Sequence, residues 1–378
     1  MAERKKILME YVIAYSYASS IPIYIQNLIK ALNLLEDNKK PFIYLCYTFD
    51  APIEDVKIIN YPYIKFVPRY SKYIFVRGIN KLIRGISGSK IDFIHFLPKK
   101  VDAVFPFFGA TRGYFDNEII EWITDFQQLY YPEFFSKIEL ENSLSKYLHL
   151  SESKQKLVLS SYDAKNDYFK FYPKNKNDIK ILRFTSILPN ISNLKKEDVL
   201  SKYNLGAEYF ITPNQFWPHK NHLTLIYAID ILVKRKEIPF KFVFTGKTKS
   251  FRDNEIFLKI ESEINKRKLS NFIVFTGFIP REDQLLLMKN SLAIIQPSLF
   301  EGWSTLVEES KALNKHIILS NLGVHLEQIS KNCTFFNALD SEELADIIET
   351  YLYTEPIIEE YNYENDIIKF ANDITNLF

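Results

Sequence analysis

The sequence predicts an α/β fold with parallel sheets, divided into at least two domains. Its 378 residues are enough to bury more than one hydrophobic core. Leu292–Gln296 is an apolar run long enough for a buried strand and too short for a helix, and Pro297 and Gly302 end it. A helical segment and the β-rich run His316–Ser320 follow, so this stretch is a βαβ unit, which is typical of a parallel sheet.

The helix of this unit carries a pattern of acidic residues. Thr305 and Glu308 form a T-x-x-E capping box, which predicts that the helix begins at about Leu306. Glu301 lies in the preceding loop, at the carboxyl end of a strand, and Glu309 lies in the first turns of the helix. Ligands of open parallel sheets bind at that edge, and the free N–H groups there favour an anion such as a phosphate.

The segment EGWSTLVEE, residues 301–309, resembles the E-x7-E signature of the retaining glycosyltransferases of family 4, also called group 1. The preceding PSLF and the following HIILSN and VHLEQ match that family in the same order. The resemblance implies a GT-B architecture, in which two Rossmann-like domains face each other across a cleft. It also implies a role in the synthesis of bacterial cell-surface polysaccharide or lipopolysaccharide.

We expect an acceptor-side domain over residues 1–190 and a nucleotide-sugar-binding domain over residues 191–354. The boundary is indicated by the density of Asn, Ser, Lys and Pro between Leu188 and Leu205. The segment 355–378 is rich in Ile, Phe and Tyr, and we predict that it is helical. In GT-B proteins such a segment crosses back to the first domain.

The first domain begins with a predicted strand at 7–15 and a helix at Ile23–Leu35, whose apolar residues share one face. Ser19 and Ser20 stand between them, where the resembling family has a glycine-rich turn. Lys156–Leu159 and Ile179–Phe184 are the last predicted strands, and Ser160 and Ser161 suggest a helix cap after the first of them.

Residues 69–90 contain six basic residues and no acidic one. Arg77, Lys81 and Arg84 recur at helical spacing, and Ile79, Leu82, Ile83 and Ile86 share another face. Two interpretations stay open. The segment is either a solvated helix packed on the sheet or a docking face for an anionic membrane surface.

The stretch EWITDFQQLYYPEFFS, residues 121–136, resembles a segment on the acceptor side of bacterial family members. The resemblance makes Asp125 the candidate for orienting an acceptor hydroxyl. Gln128 stands where a histidine is usual. The alternative for Asp125 is that it caps a short helix.

The second domain opens with PNQFWPHKNH, residues 213–222, which matches the family's donor-phosphate loop. By this resemblance Lys220 neutralises the charge that develops on the leaving diphosphate. Gln215 occupies the position of an arginine in most relatives, and glutamine donates hydrogen bonds without a charge. The resemblance places Phe278 and Ile279, after the strand at Phe272–Pro280, beside the nucleobase. They are equally compatible with core positions.

The resemblance assigns further roles within the βαβ unit that contains Glu301 and Glu309. Glu309 would accept hydrogen bonds from the ribose hydroxyls, and Glu301 would hold the sugar ring. Backbone N–H groups of Gly302, Trp303, Ser304 and Thr305 would meet sugar or phosphate oxygens. Since no nucleophile is evident for a double displacement, we expect a same-face substitution assisted by the departing phosphate.

Composition excludes several other classes of protein. A net charge of +2 gives no argument for nucleic acid, and two cysteines, Cys46 and Cys333, favour a reducing compartment. No D-x-D pair, zinc spacing or dinucleotide fingerprint occurs, so we expect neither metal nor cofactor besides the sugar donor. No apolar run approaches the roughly 20 residues that span a bilayer. We expect a cytoplasmic enzyme, with a peripheral position on the inner membrane face as the alternative.

Two other functions fit the same sequence. A nucleotide-sugar epimerase of GT-B fold would convert a donor without an acceptor. A non-catalytic subunit would bind the nucleotide sugar in support of a partner transferase, and the departures at Gln128, Gln215 and the serine turn motivate it.

Overall fold

The computed structural model describes residues 3–11, 20–70, 74–88, 92–248 and 255–378. Its strands are β1 (Lys6–Tyr11), β2 (Phe42–Tyr47), β3 (Ile64–Pro68), β4 (Ala103–Val104), β5 (Glu121–Ile123), β6 (Lys156–Leu159), β7 (Asp178–Ile181), β8 (Tyr209–Thr212), β9 (Lys241–Thr245), β10 (Ile273–Gly277), β11 (Ile294–Gln296), β12 (Ile317–Ser320) and β13 (Cys333–Phe336).

The helices alternate with these strands, as the α/β prediction requires. They are α1 (Ser20–Asn33), α2 (Ile53–Lys57), α3 (Ile74–Ser87), α4 (Gln127–Tyr130), α5 (Lys137–Glu152), α6 (Tyr162–Phe171), α7 (Lys196–Lys202), α8 (His222–Arg235), α9 (Glu255–Lys266), α10 (Arg281–Asn290), α11 (Thr305–Ala312), α12 (Gly323–Gln328), α13 (Ser341–Thr350) and α14 (Glu364–Thr375).

The chain forms two compact units. The first consists of Met1–Phe126, Lys137–Ile187 and Glu364–Phe378, and the second of Gln127–Ser136 and Leu188–Tyr363. The predicted domains were 1–190 and 191–354, with 355–378 returning to the first. The structure groups the short segment around α4 and residues 355–363 with the second unit.

The second unit is built on a parallel sheet with the order β10-β9-β8-β11-β12-β13 among the described strands. This is the order of a Rossmann sheet, in which the chain starts at the centre, winds outward, and then restarts on the other side. The predicted βαβ unit is confirmed, because β11 and β12 pair in parallel with Ile294 opposite Ile317.

Both faces of this sheet are buried, which explains the nearly continuous apolar runs of its strands. Phe210 and Phe242 point into one core, whereas Ile211 and Val243 belong to the core on the opposite face. Successive side chains of a strand alternate between faces, so each strand supplies both cores.

The first unit contains, within the described residues, a parallel sheet of order β3-β2-β1-β4 and a second one of order β5-β6-β7. Helices α1 and α14 pack on the same core, where Leu28 and Phe370 are buried. The predicted strand at Lys156–Leu159 and the cap at Ser161 are confirmed, since the Ser161 side chain accepts from the Ala164 N–H. Residues 12–15 of the first predicted strand and Ser19 lie outside the described residues.

The predicted helix over 355–378 is wrong for its first part, because α14 begins only at Glu364. The preceding residues have their backbone groups satisfied by asparagine side chains. Oδ1 of Asn314 accepts from the Tyr361 N–H at 2.8 Å, and Asn332 bonds both the N–H and the carbonyl of Glu359. An extended backbone is stable there because these amides replace helical hydrogen bonds.

Candidate active site

The candidate site lies at the carboxyl edge of the six-stranded sheet in the second unit. Strands β8 and β11 are neighbours at its centre, and the strand order reverses between them. The loops that follow them, 213–221 and 297–304, leave at the same edge because the strands are parallel. Ligands of open α/β sheets bind at such a reversal point.

The loop after β8 is tied to the loop after β11 by two hydrogen bonds that main-chain carbonyls accept. A single turn of 3₁₀ helix, Pro218–Lys220, ends at Asn221, which has a left-handed backbone with φ of 53°. Nδ2 of Asn221 donates to the Pro297 carbonyl at 3.0 Å, and the Leu299 N–H donates to the His219 carbonyl at 2.7 Å. These hydrogen bonds fix the lysine at the end of the turn.

Lys220 and Glu301 form a buried ion pair. Nζ of Lys220 donates to Oε1 of Glu301 at 2.6 Å, and both side chains are at least 85% buried, with exposures of 15% and 10%. Ser298 Oγ at 2.7 Å and Gln296 Nε2 at 2.9 Å donate to the same oxygen. No described residue donates to Oε2 of Glu301. One carboxylate oxygen is thus fully used to hold the group, and the other remains available to a ligand.

The charge of this pair is set by two opposing effects. Burial would raise the pKa of Glu301, but the Lys220 ammonium, with smaller contributions from His219 and His325, outweighs burial and lowers the pKa to about 2. Glu301 is therefore an ionised carboxylate at neutral pH and a weak base. A role as a hydrogen-bond acceptor fits this state better than a role in proton transfer.

Helix α11 begins one residue earlier than the sequence predicts. The N-cap is Ser304, whose side chain accepts from the Val307 N–H at 3.3 Å, and the predicted capping box of Thr305 and Glu308 is wrong. Thr305 is exposed as the first helical residue. Glu308 is buried and its carboxylate bonds other residues, so it does not accept the hydrogen bond from the N-cap that a capping box requires.

Two glutamines hold the residue at this cap. Oε1 of Gln328 accepts from the Ser304 N–H at 3.0 Å, and its Nε2 donates to the Ser304 carbonyl at 2.8 Å. Nε2 of Gln296 donates to the Ser304 hydroxyl at 2.9 Å. The N–H of Ser304 is therefore taken by the protein, whereas no described residue accepts from the N–H of Gly302 or of Thr305.

Glu309 lies on α11 with a buried side chain and pairs with an arginine that the sequence analysis missed. Nη2 of Arg281 donates to Oε1 of Glu309 at 2.5 Å. Arg281 is the first residue of α10, directly after β10 and Pro280. The sequence offered one signal for Arg281 as a site residue, which is its position after a strand and next to the predicted nucleobase residues. It brings a positive charge to the carboxyl edge of the sheet.

The loops after β8, β9 and β10 form the continuation of this edge. The Lys247 N–H donates to Oε1 of Gln215 at 3.0 Å, and the Lys247 ammonium lies 5.1 Å from the ring centroid of Phe278. The structure separates the two predicted nucleobase residues. Phe278 is 67% exposed, whereas Ile279 is buried in the core below the sheet. Phe278 alone can offer a face to a ligand.

The candidate site lies within a stretch of the chain that matches a known family. Residues 196–372 match the family model described as glycosyl transferases group 1. This part of the chain is a group 1 glycosyltransferase domain.

Two bacterial mannosyltransferases are similar to the chain in sequence. The O-antigen chain mannosyltransferase RfbU of Salmonella typhimurium is 21% identical over 245 residues, which are 64% of this chain and 62% of RfbU. The serotype-specific mannosyltransferase WbdA of Escherichia coli is 24% identical over 164 residues, which are 43% of this chain and 20% of WbdA. The chain thus spans less than two thirds of either relative.

A solved structure shares the fold of the chain. Anabaena Alr3699/HepE, solved in complex with UDP and glucose, superposes with a TM-score of 0.64 at 14% identity, covering 99% of this chain and 95% of that one. The chain has the GT-B fold, and the predicted resemblance to group 1 glycosyltransferases is confirmed.

Asp125, the predicted acceptor residue, belongs to the first unit and not to the glycosyltransferase domain. It lies between β5 and α4, where its Oδ2 accepts from the Thr124 hydroxyl at 3.3 Å. Its role stays a prediction, as does the consequence of glutamine at position 128.

The histidines of the glycosyltransferase domain support its loops. Burial lowers the pKa of His222 to about 3, so this residue is neutral, and its ring packs against Phe216. Nδ1 of His325 lies 2.8 Å from the Ser320 carbonyl beneath the Glu301 loop. Among the residues that the structure describes, no group of His, Cys, Asp and Glu has the composition of a metal site. Independence from metal remains a prediction.

Proposed function

We propose that the chain is a retaining glycosyltransferase that moves a hexose from a nucleoside diphosphate sugar to an acceptor hydroxyl, in the synthesis of bacterial surface polysaccharide or lipopolysaccharide. The observation that carries the proposal is the buried Lys220–Glu301 pair at the reversal point of the sheet in a group 1 domain. The names of its relatives, RfbU and WbdA, favour mannose as the first hexose to test.

The sugar ring is recognised by Glu301. Three donors fix its Oε1, and an ionised carboxylate with one remaining oxygen is a strong acceptor for ring hydroxyls. Because the group is already oriented before a ligand arrives, little side-chain entropy is lost on binding.

The leaving diphosphate needs positive charge, and the domain supplies it at the same edge. Lys220 ends the loop after β8, and Arg281 follows β10. The N–H groups of Gly302 and Thr305 add the partial positive charge of a helix N-terminus. Since carboxylates repel a phosphate, Glu301 and Glu309 face hydroxyls, and the cations between them and the phosphates offset the repulsion.

The nucleoside is bound on the side of Glu309 and Phe278. Arg281 holds Oε1 of Glu309, which leaves its Oε2 for ribose hydroxyls. The exposed ring of Phe278 gives the base an aromatic surface.

The low basicity of Glu301 favours substitution without a covalent intermediate on this residue. A salt-bridged carboxylate with a pKa of about 2 is a weak nucleophile. In the proposed step the acceptor oxygen bonds to the anomeric carbon on the face from which the diphosphate departs. The bond from that carbon to the diphosphate oxygen breaks, and this oxygen takes the acceptor's proton.

Ligand binding is tested first. Thermal unfolding of the full chain is measured with UDP, GDP, UDP-glucose and GDP-mannose, because a ligand that binds the native state raises the unfolding temperature. We expect one nucleotide series to stabilise the protein selectively, and release of that nucleoside diphosphate once a saccharide acceptor is added. Configuration of the product by NMR decides between retention and inversion.

Variants then separate this function from the alternatives. Glu301→Gln and Lys220→Met should lower turnover by at least a hundredfold, as expected when charged groups that contact the transition state are lost. Lys331→Met, which breaks an exposed ion pair with Glu359 in the same unit, is the matched control and should keep full activity. Near-normal turnover of folded Glu301→Gln would refute the assignment.

A further inference from the structure

Helix α3 in the first unit presents an apolar stripe to solvent. Phe75, Ile79, Leu82 and Ile86 are all exposed, Leu82 by 64% and Ile86 by 80%. At about 100° of rotation per residue, these four positions fall within an arc of about 60°. Residues 79, 82 and 86 therefore do not contribute their side chains to the core of the first unit. Patches of this kind usually mark an interaction site.

A different side of the same helix attaches it to the domain. Val76 and Asn80 are buried, and the Asn80 side chain bonds both the N–H and the carbonyl of Ile94, at 2.9 and 2.8 Å. Arg84 donates to Oδ1 of Asp92 at 2.7 Å. These contacts hold the helix in place, so the stripe is a fixed surface of the folded domain.

Positive charge accompanies the stripe. Helix α3 contains no acidic residue, and both Arg77 and Lys81 are exposed on its polar side. Neither of them forms an ion pair with any residue that the structure describes. Such a helix, apolar along one side and basic along another, has the composition of a segment that lies in a membrane interface.

The loop at 93–96, to which α3 is hydrogen-bonded through Asn80, enlarges the apolar surface. Phe93 and Phe96 flank Ile94, the residue to which Asn80 is bonded, and both aromatic side chains are exposed. Phenylalanine is among the residues with which interfacial segments enter the boundary between headgroups and acyl chains. The helix and this loop together offer aliphatic, aromatic and basic groups within one part of the first unit.

We propose that α3 and the loop at 93–96 dock the protein on an anionic lipid bilayer. The apolar stripe enters the boundary between headgroups and acyl chains, and Arg77 and Lys81 interact with lipid phosphates. A second copy of the chain is a poorer occupant, because a twofold contact through the stripe would not engage Arg77 and Lys81, which lie on another side of α3. Within the described residues no helix is both long and apolar enough to cross a membrane, so this surface contact would be peripheral.

The test is sedimentation of the full chain with vesicles at low salt. Vesicles of phosphatidylcholine mixed with phosphatidylglycerol should pellet the protein, and pure phosphatidylcholine vesicles should pellet it much less. Arg77→Gln with Lys81→Gln should weaken binding to the mixed vesicles by about twenty-five-fold, at about fivefold for each basic residue. Leu82→Ser with Ile86→Ser should weaken binding at least as much, since two exposed side chains lose their insertion.

Matched controls lie elsewhere in the first unit. Ile58→Ser with Ile138→Ser changes two equally exposed apolar residues, and Lys174→Gln with Lys176→Gln removes the same charge. Both controls should bind vesicles as the unmodified protein does, and unfolding temperatures establish that all variants fold. Equal pelleting with both kinds of vesicle, or stripe variants that bind like the controls, would overturn the proposal. Absence of vesicle binding would overturn it as well and would favour an acidic protein partner for α3.

Discussion

Lys220→Met is the sharpest test of the electrostatics of the site. The pKa of Glu301 falls from its ordinary 4.5 to about 2 in the folded protein, which corresponds to about 3 kcal/mol of stability at about 1.4 kcal/mol per pKa unit. Since the folded pKa is the lower one, this contribution is complete above pH 4.5. It is lost as the pH falls from there towards 2, and about 2 kcal/mol should be gone at pH 3.

Removal of the lysine reverses the sign with which the contribution of Glu301 to stability depends on pH. Glu301 stays buried, and burial without a cation raises the pKa of its carboxyl. We expect the free energy of unfolding to fall by about 3–5 kcal/mol at pH 7, the range for one broken half of a buried pair. On acidification Glu301 of the variant takes up a proton in the folded state first. The difference from the unmodified protein therefore shrinks between pH 7 and pH 3.

Urea denaturation followed by tryptophan fluorescence measures this difference, because Trp217 and Trp303 both lie in the second unit. Lys331→Met is the control, and its loss should stay below about 1 kcal/mol at every pH. The double variant Lys220→Met with Glu301→Gln should recover part of the lost stability, because no charge is left buried. A variant whose stability follows pH in parallel with the unmodified protein would refute the reasoning.

Two further predictions concern the loops around the pair. Gly246→Ala should lower the free energy of unfolding by about 2 kcal/mol or more, because its new Cβ would lie 2.4 Å from the Asn214 carbonyl oxygen at a φ of +151°. Gly206→Ala is the control, because a Cβ there would have nothing within 4 Å. Equal unfolding temperatures of the two variants would contradict the predicted clash. Gln328→Ala should cost about 1–3 kcal/mol in urea denaturation, because it leaves both main-chain groups of Ser304 without their partner. It should also slow turnover, and an unchanged rate would show that Gln328 does not position the loop.

The sequence was sufficient for the parts of the site that lie at strand ends. Lys220 and Glu301 follow short apolar runs, Tyr209–Thr212 and Leu292–Gln296, that are typical of strands, and parallel strands end at one edge. Their meeting is thus a consequence of topology. The ion pair itself was not predictable, because the resemblance assigned the two residues to different parts of a ligand.

The residues that sequence reasoning missed or misplaced depend on contacts between distant positions. Arg281 is 28 residues from Glu309, and no local pattern joins them. The cap fell on Ser304 and not on Thr305 because Gln328 holds the main chain of Ser304 from another helix. The extended segment before α14 was mistaken for a helix because its apolar content was visible, whereas the role of Asn332 as its partner was not.

The three glutamates of the βαβ unit, Glu301, Glu308 and Glu309, differ in how their carboxylate oxygens are used. Glu308 has both oxygens occupied, by Lys311, by Gln328 at 2.8 Å and by the Tyr363 hydroxyl at 2.7 Å, and it is sealed in the domain. Glu301 and Glu309 are nearly as buried, yet in each of them the described residues bond only Oε1. A buried carboxylate is costly unless its charge is compensated and its oxygens are bonded. The pairing of one oxygen with a cation meets the first requirement at both positions, and under the proposed function the hydroxyls of a sugar nucleotide would meet the second.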